Sequence, residues 1–276
     1  MRSKLFVPCT RPELLGKALA TNADALSFDL EDSVPSNSKA DARDRLVQWL
    51  KSDEVLRSSK TIIVRVNGPK TDFFDSDARA LAGLRVDLIN IPKIDSPQEV
   101  CATAELLAQL DVSARMLINL ETPAGIHRAS EIAGAHPNVA GLQVGLNDLF
   151  APLGIERRNL MHAHSIMLAI RLAAGASLFA VDGAWPDLDD EEGLRAEAVL
   201  ARSLGFIGKS CIHPRQVPIV NEVFEDSVEV ARARRLVKAA ADAEASGQGA
   251  FLFEGSMADA PAIEAARVLL RRAGNK

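Results

Sequence analysis

The sequence predicts an α/β fold, eight parallel strands closed into a (β/α)8 barrel with a C-terminal lid-like helical extension. Eight short apolar runs recur at near-regular intervals: KLFVP, ALSFDLED, TIIVRVN, VDLINIPK, RMLINLE, VAGLQVGLND, SLFAVDG and FIGKSCIHP. Almost every run is followed by a charged residue, and helical patterns fill the gaps between runs. The length, 276 residues, suits one TIM barrel of ordinary size with a short appendage. Closing such a barrel gathers all eight strand ends on one rim, where residues remote in sequence become neighbours. The rim candidates are Asp29, Glu31, Asp32, Arg65, Lys93, Glu121, Asp148, Asp182, Lys209 and His213. An enzyme is the natural reading.

Between the runs, RPELLGKALAT, KADARDRLVQWLKS, SPQEVCATAELLAQL and EEGLRAEAVLARSLG carry apolar residues at three- and four-residue spacings, as helices covering a barrel should. Thr10, with Pro12 and Glu13, predicts a capping box that stops the first strand. Ser96, with Pro97 and Glu99, repeats that logic. A longer helical stretch is expected over 155–174, with His162 and His164 too close in sequence to share one helical face. Residues 1–245 are assigned to the barrel and 246–276 to the extension. Gly247, Gly249 and Gly255 around Phe251 and Phe253 suggest either a flap that closes over something or a tail packed on the surface.

A net charge of −5 gives no nucleic-acid footprint and no basic membrane patch. Three scattered cysteines, Cys9, Cys101 and Cys211, fit neither a zinc site nor a disulfide framework. The N-terminal MRSKLFVPC meets Pro too soon for a signal peptide or spanning helix. A soluble cytoplasmic protein is expected. GxSxG, HExxH, Walker and dinucleotide fingerprints do not occur, which argues against serine hydrolysis, nucleotide and hydride chemistry.

Glu121 in NLETPAG and Asp148 in VGLNDLF form the strongest constellation, each following one of two consecutive strands. Two carboxylates without clustered Cys or His offer hard oxygens, which favours Mg²⁺, with Mn²⁺ as an exchangeable ion. The alternative is that both acids merely cap the helices that follow. Arg65 ends an apolar run and needs an anion, either a substrate carboxylate or a partner such as Glu31 or Asp32. Asp29, Glu31 and Asp32 crowd one strand end, where one acid can hold metal-bound water and others anchor Arg65 or Lys93. Lone His213 reads more readily as structural than catalytic.

RSKLFVP, RPE, DLEDSV, KADAR, RVNG, IPK, ETPAG, GLNDL, DG, GFIGKSCIHPRQ, VNEVF and GSMADAP occur in order over nearly the whole chain. Their succession resembles the citrate lyase β-subunit and malyl-CoA lyase group. The resemblance implies a (β/α)8 barrel, Mg²⁺ dependence, acyl-CoA substrates and a homotrimer or hexamer. It makes Glu121 and Asp148 the metal ligands and Arg65 the residue that grips the oxyanion. Asp259 becomes the acid/base delivered by a neighbouring subunit's lid, and Arg11 and Lys17 become contacts for CoA phosphates.

The implied chemistry is reversible cleavage of a carboxylated 3-hydroxyacyl-CoA, such as citryl-CoA, malyl-CoA or citramalyl-CoA, to a 2-keto acid and an acyl-CoA. Three alternatives stay open: a subunit acting on an acyl-carrier protein, a malate-synthase-like condensation with thioester hydrolysis, and a CoA-binding barrel without turnover. Two stretches depart from the group's pattern, NLMHAHSIMLAIRLAAG and Glu254 in EGSMADAP.

Overall fold

A computed structural model describes residues 1–225, 227–245 and 249–274. Eight strands close into a barrel in sequence order: β1 (Ser3–Pro8), β2 (Ala25–Asp29), β3 (Thr61–Arg65), β4 (Leu88–Ile91), β5 (Arg115–Leu120), β6 (Val139–Val144), β7 (Phe179–Ala184) and β8 (Gly208–Cys211). Every neighbouring pair is parallel, and β1 closes the ring against β8. Each of the eight predicted runs is therefore a strand.

Strand alternation sorts the side chains into two populations. Leu5, Leu26, Phe28, Ile62, Val64, Ile89, Ile118 and Leu142 join the main core between strands and helices. Their neighbours turn into the barrel, where Ala25, Ile63, Leu88 and Ala140 form a small apolar layer with Met1 and Phe179 at the strand beginnings. The β2–β3 register pairs Asp29 with Arg65, so adjacent strands bring an acid and a base side by side at the opposite end.

The four predicted helices occupy Glu13–Leu19, Lys39–Leu50, Pro97–Gln109 and Glu191–Ser203. Ser96 caps the third as expected, its hydroxyl accepting from the Glu99 backbone N–H at 3.3 Å. The Thr10 capping box does not form. Helix Glu13–Leu19 starts on Pro12 without a side-chain cap, and Glu13 pairs with Arg11 instead. The expected 155–174 helix begins at Leu160, where the Asn159 side chain accepts from the Met161 N–H. Among the described residues, no helix is long and apolar enough to cross a membrane.

The chain divides into two compact units, Met1–Phe224 and Glu225–Lys276, so the division precedes the expected 245/246 boundary. The reason is the helix Ser227–Ala245, whose Ala233 and Leu236 pack with Ala258 and Ala266 in the second unit's own core. That unit also holds an antiparallel hairpin, β9 (Phe251–Phe253) and β10 (Ser256–Ala258), and the helix Ala260–Gly274. Glu254 and Gly255 both take positive φ, 47° and 83°, the geometry that lets a two-residue turn match the twist of its strands. Phe251 and Phe253 lean on the unit's core, and Glu254 pairs with Arg232 and Arg235. Gly247 of the predicted flap lies outside the described residues.

Candidate active site

At the C-terminal ends of the strands lies a cleft of about 410 Å³ lined by Asp29, Arg65, Glu121 and Asp148, with Phe6, Asn119 and Gln143 among its other walls. Asp29 clamps Arg65 through two parallel bonds, from Nε at 2.7 Å and Nη2 at 2.8 Å. Arg65 Nη1 reaches Glu31 at 3.0 Å and Asp32 at 3.2 Å. Arg65 is thus ion-paired, with Asp29 as well as the Glu31 and Asp32 that the sequence offered, and it lines the cleft. Its guanidinium also lies 4.8 Å from the centre of the Phe6 ring.

The acidic loop that grips Arg65 is held from below. Buried Lys39, from the KADAR segment, donates to the Leu30 and Glu31 carbonyls at 2.8 and 2.7 Å, and Asn67 of RVNG donates to the Leu30 carbonyl. Lys93 adds a strut. Its left-handed backbone, φ 54°, aims its N–H at Glu121 Oε1 (3.0 Å), while its Nζ reaches Glu31 Oε1 at 2.6 Å.

Glu121 does not cap a helix. Thr122 does so, its hydroxyl accepting from the Gly125 N–H at 3.0 Å, which leaves the Glu121 carboxylate to face the cleft. Close approach there depends on Gly145, where an added Cβ would meet Glu121 Cβ at 2.4 Å. Asp148 stands in the first turn of the short helix Leu146–Phe150 and is exposed.

Charge around the cleft is unbalanced. Asp29, Asp32, Glu121 and Asp148 line it and Glu31 stands beside them, against Arg65 in the cleft and Lys93 and buried Lys4 next to it. Although burial opposes it, Arg65 together with the hydrogen bonds it receives holds Asp29 below the usual carboxylate range. Burial, joined by repulsion from Glu31 and Asp148, pushes Glu121 up to about 8. Burial and the Asp32 charge raise Glu31, and its Oε2 lies near Arg65 without the alignment of a hydrogen bond. A divalent cation beside Glu121 and Asp148 would relieve this repulsion. Among the described residues no group of three or more His, Cys, Asp or Glu forms a closed cage. Two carboxylates completed by water or substrate oxygens suit a hard ion that keeps part of its hydration shell.

A pH dependence follows for the metal-free protein. The folded Glu121 carboxyl keeps its proton up to about pH 8, whereas the unfolded chain loses it near 4.5. Across that window the folded state binds more protons, so its stability falls as pH rises. Thermal unfolding over this range is expected to show a shallower decline for Glu121→Gln than for the parent. Parallel declines would mean that Glu121 is not the responsible group.

Other predicted residues lie elsewhere. Lys209 and Asp182 turn out of the barrel and are fully buried beneath the Glu191–Ser203 helix. There Lys209 meets Asp182 at 2.6 Å and Glu197 at 2.5 Å, and Arg157 grips Glu197 through both Nη atoms. Lys209 is thus a core residue, not a rim residue, because strand alternation points it outward. His213 Nδ1 accepts from the Arg215 N–H and shapes a turn. Arg11 and Lys17 are exposed, the first just beyond β1 and the second on the helix that follows. Asp259 belongs to the second unit, where it accepts from the Ala262 N–H at 3.1 Å at the start of the last helix.

The sequence reading passed over Lys4, Asn119 and Gln143. Alternation was the available signal, since Asn119 on β5 precedes Glu121 by two residues, Lys4 opens the first apolar run and Gln143 interrupts the sixth.

Residues 2–214 match the HpcH/HpaI aldolase/citrate lyase family. A (3S)-malyl-CoA thioesterase of Cereibacter sphaeroides is 39% identical over 99% of this chain and 94% of its own length. An L-malyl-CoA/beta-methylmalyl-CoA lyase of the same species is 34% identical over 99% and 94%. Among solved structures, CitE of Mycobacterium tuberculosis, in complex with magnesium, acetoacetate and coenzyme A, aligns with a TM-score of 0.77 at 34% identity, covering 99% of this chain and 98% of that one. The ordered motifs, the closed eight-stranded barrel and this full-length similarity converge: the chain belongs to the HpcH/HpaI aldolase/citrate lyase family.

Proposed function

We propose that this chain is a Mg²⁺-dependent enzyme that reversibly splits a carboxylated 3-hydroxyacyl-CoA into a 2-keto acid and an acyl-CoA. One observation carries the reading: Glu121 and Asp148, on adjacent strand ends, line the same cleft as a clamped Arg65. Mg²⁺ bound by the two carboxylates supplies Lewis acidity toward the keto-acid oxygens. The magnesium, acetoacetate and coenzyme A held by the M. tuberculosis relative support that chemistry.

Asp259 takes the proton of the substrate hydroxyl, the carbon–carbon bond breaks to leave the keto-acid carbonyl, and the electron pair of the broken bond moves onto the thioester as an enolate. Arg65 stabilises the enolate oxygen. Asp29 fixes the guanidinium plane, and Asp32, half exposed, is the acid that an incoming oxyanion displaces from Nη1. Asp259 returns a proton to the enolate carbon, and Arg11 and Lys17 take CoA phosphates. Arg65→Lys is expected to lower kcat by about 10²–10³-fold, because an ammonium cannot keep two bonds to Asp29 and still offer a donor to the oxyanion. A normal kcat in Arg65→Lys would reduce Arg65 to a structural tie.

Thioester hydrolysis is the second reading, favoured by the name of the 39% identical relative. Purified protein given a panel of 3-hydroxyacyl-CoA thioesters with and without Mg²⁺ separates them. A keto acid plus acyl-CoA supports cleavage; a hydroxy acid plus free CoA supports hydrolysis. Turnover only of a thioester carried on acyl-carrier protein would mark a subunit of a larger assembly, and no turnover of any panel member would overturn both readings.

A further inference from the structure

The barrel interior of this chain is polar where that of the fold is usually filled by Val, Ile and Leu. Between the apolar layer around Ile63 and the acids of the rim lie Lys4 on β1, Ser27 on β2, Asn90 on β4, Asn119 on β5, Gln143 on β6 and Ser210 on β8. All six are at least 97% buried. Lys4 Nζ donates to Gln143 Oε1 and lies 4.2 Å from the Phe6 ring centre, and Asn90 donates to the same oxygen at 3.2 Å. Four side-chain atoms of this layer, Ser27 Oγ, Asn90 Oδ1, Asn119 Oδ1 and Ser210 Oγ, have no hydrogen-bond partner. Buried polar atoms cost free energy unless something satisfies them.

Two members of the layer, Asn119 and Gln143, also form the floor of the cleft. Their remaining capacity is specific. Gln143 Oε1 is taken by Lys4 and Asn90, which leaves its amide NH₂ to offer. Asn119 donates its NH₂ to Glu121, which leaves Oδ1 to accept. One donor beside one acceptor matches a hydroxyl, which accepts from the first and donates to the second. A carboxylate only accepts, so it would face Asn119 Oδ1 without a proton to share, in a cleft already crowded with acids. A methyl group or a hydrogen would leave both groups unpaired.

Resting on the keto-acid reading above, we propose that Asn119 and Gln143, backed by Lys4, form a hydroxyl-recognising subsite that selects a 2-keto acid bearing a hydroxyl on its third carbon. The bond from Asn119 to Glu121 places this floor next to the carboxylate that holds the keto-acid end of the substrate. The subsite sets which keto acid is accepted and takes no part in bond cleavage.

The test is binding without turnover. Calorimetric titration of the Mg²⁺-loaded protein, without CoA, would use 3-hydroxypyruvate, pyruvate, glyoxylate and oxaloacetate. The parent is expected to bind 3-hydroxypyruvate about tenfold more tightly than pyruvate, the scale of one or two net hydrogen bonds. Gln143→Met, close in volume, is expected to remove that margin by weakening the hydroxylated ligand while pyruvate binds no worse. Lys4→Met, which frees Gln143 Oε1, is expected to shrink it. Thermal unfolding checks that each variant is folded, and Gln143→Met alone decides the matter if Lys4→Met is not. Keto-acid binding with no preference for the hydroxyl, or a preference untouched by Gln143→Met, overturns the subsite and means that water fills the floor. No binding of any keto acid to the parent overturns the keto-acid reading itself, and the subsite with it.

Discussion

Glu121→Gln and Asp148→Asn are each expected to lose Mg²⁺ affinity by more than about 100-fold and turnover with it, because partners one shell further from a metal are already worth 10–100-fold. Both changes preserve volume and remove a carboxylate; at position 121 the amide NH₂ also replaces one of the two oxygens that accept from the Lys93 N–H and from Asn119. Near neutral pH the metal-free Glu121→Gln variant is expected to remain folded, because the site already holds this carboxyl uncharged there. Isothermal titration with Mg²⁺ and a thermal melt of each variant decide the point. Mg²⁺-dependent turnover undiminished in both would sink the assignment of these residues as ligands.

Mixing Glu121→Gln protein with Asp259→Asn protein is expected to restore activity that neither has alone. In the shared-site reading each active centre takes its cleft from one chain and Asp259 from a neighbour. A random equimolar ring then leaves about one quarter of its centres intact. Arg65→Ala is a poorer choice of cleft-defective partner. Truncation there would strand Asp29, Glu31 and Asp32 beside a lost cation, and an uncompensated buried charge typically costs about 3–5 kcal/mol. Subunit exchange is followed separately by native mass. If mixed assemblies form without any recovery, Asp259 does not act across subunits.

The barrel was legible because its strands are short apolar runs of period two and its helices carry three- and four-residue spacings, signals that local sequence alone contains. Glu121, Asp148 and Arg65 were legible as rim residues for a related reason, since a charge that ends such a run reaches the rim when its strand turns it inward, whereas Asp182, at the end of SLFAVDG, is turned outward and buried. The signal failed at Lys209, which sits inside a run and not at its end, so only the facing of β8 decides where it points. It failed again at Arg157 and Glu197, which look like ordinary helix or loop charges until the fold pairs a partly exposed Arg157 with a buried Glu197. Asn119 and Gln143 were missed although alternation puts Asn119 on the same side as Glu121, because an uncharged amide within an apolar run draws less notice than a charge at its end. Helix starts at Pro12 and Leu160 differ from expectation because capping is settled by side-chain geometry that several nearby residues can supply.

The buried set of Arg157, Asp182, Glu197 and Lys209 has a consequence for descent. Lys209 and Asp182 are fully buried, Glu197 answers two bases at once, and Arg157 also donates to the Ala184 carbonyl. Replacing any one strands its neighbours in a medium with no water to receive them. Lineages that depart from this arrangement are therefore expected to have crossed in concert, with the four positions inherited together as charges or exchanged together for apolar residues.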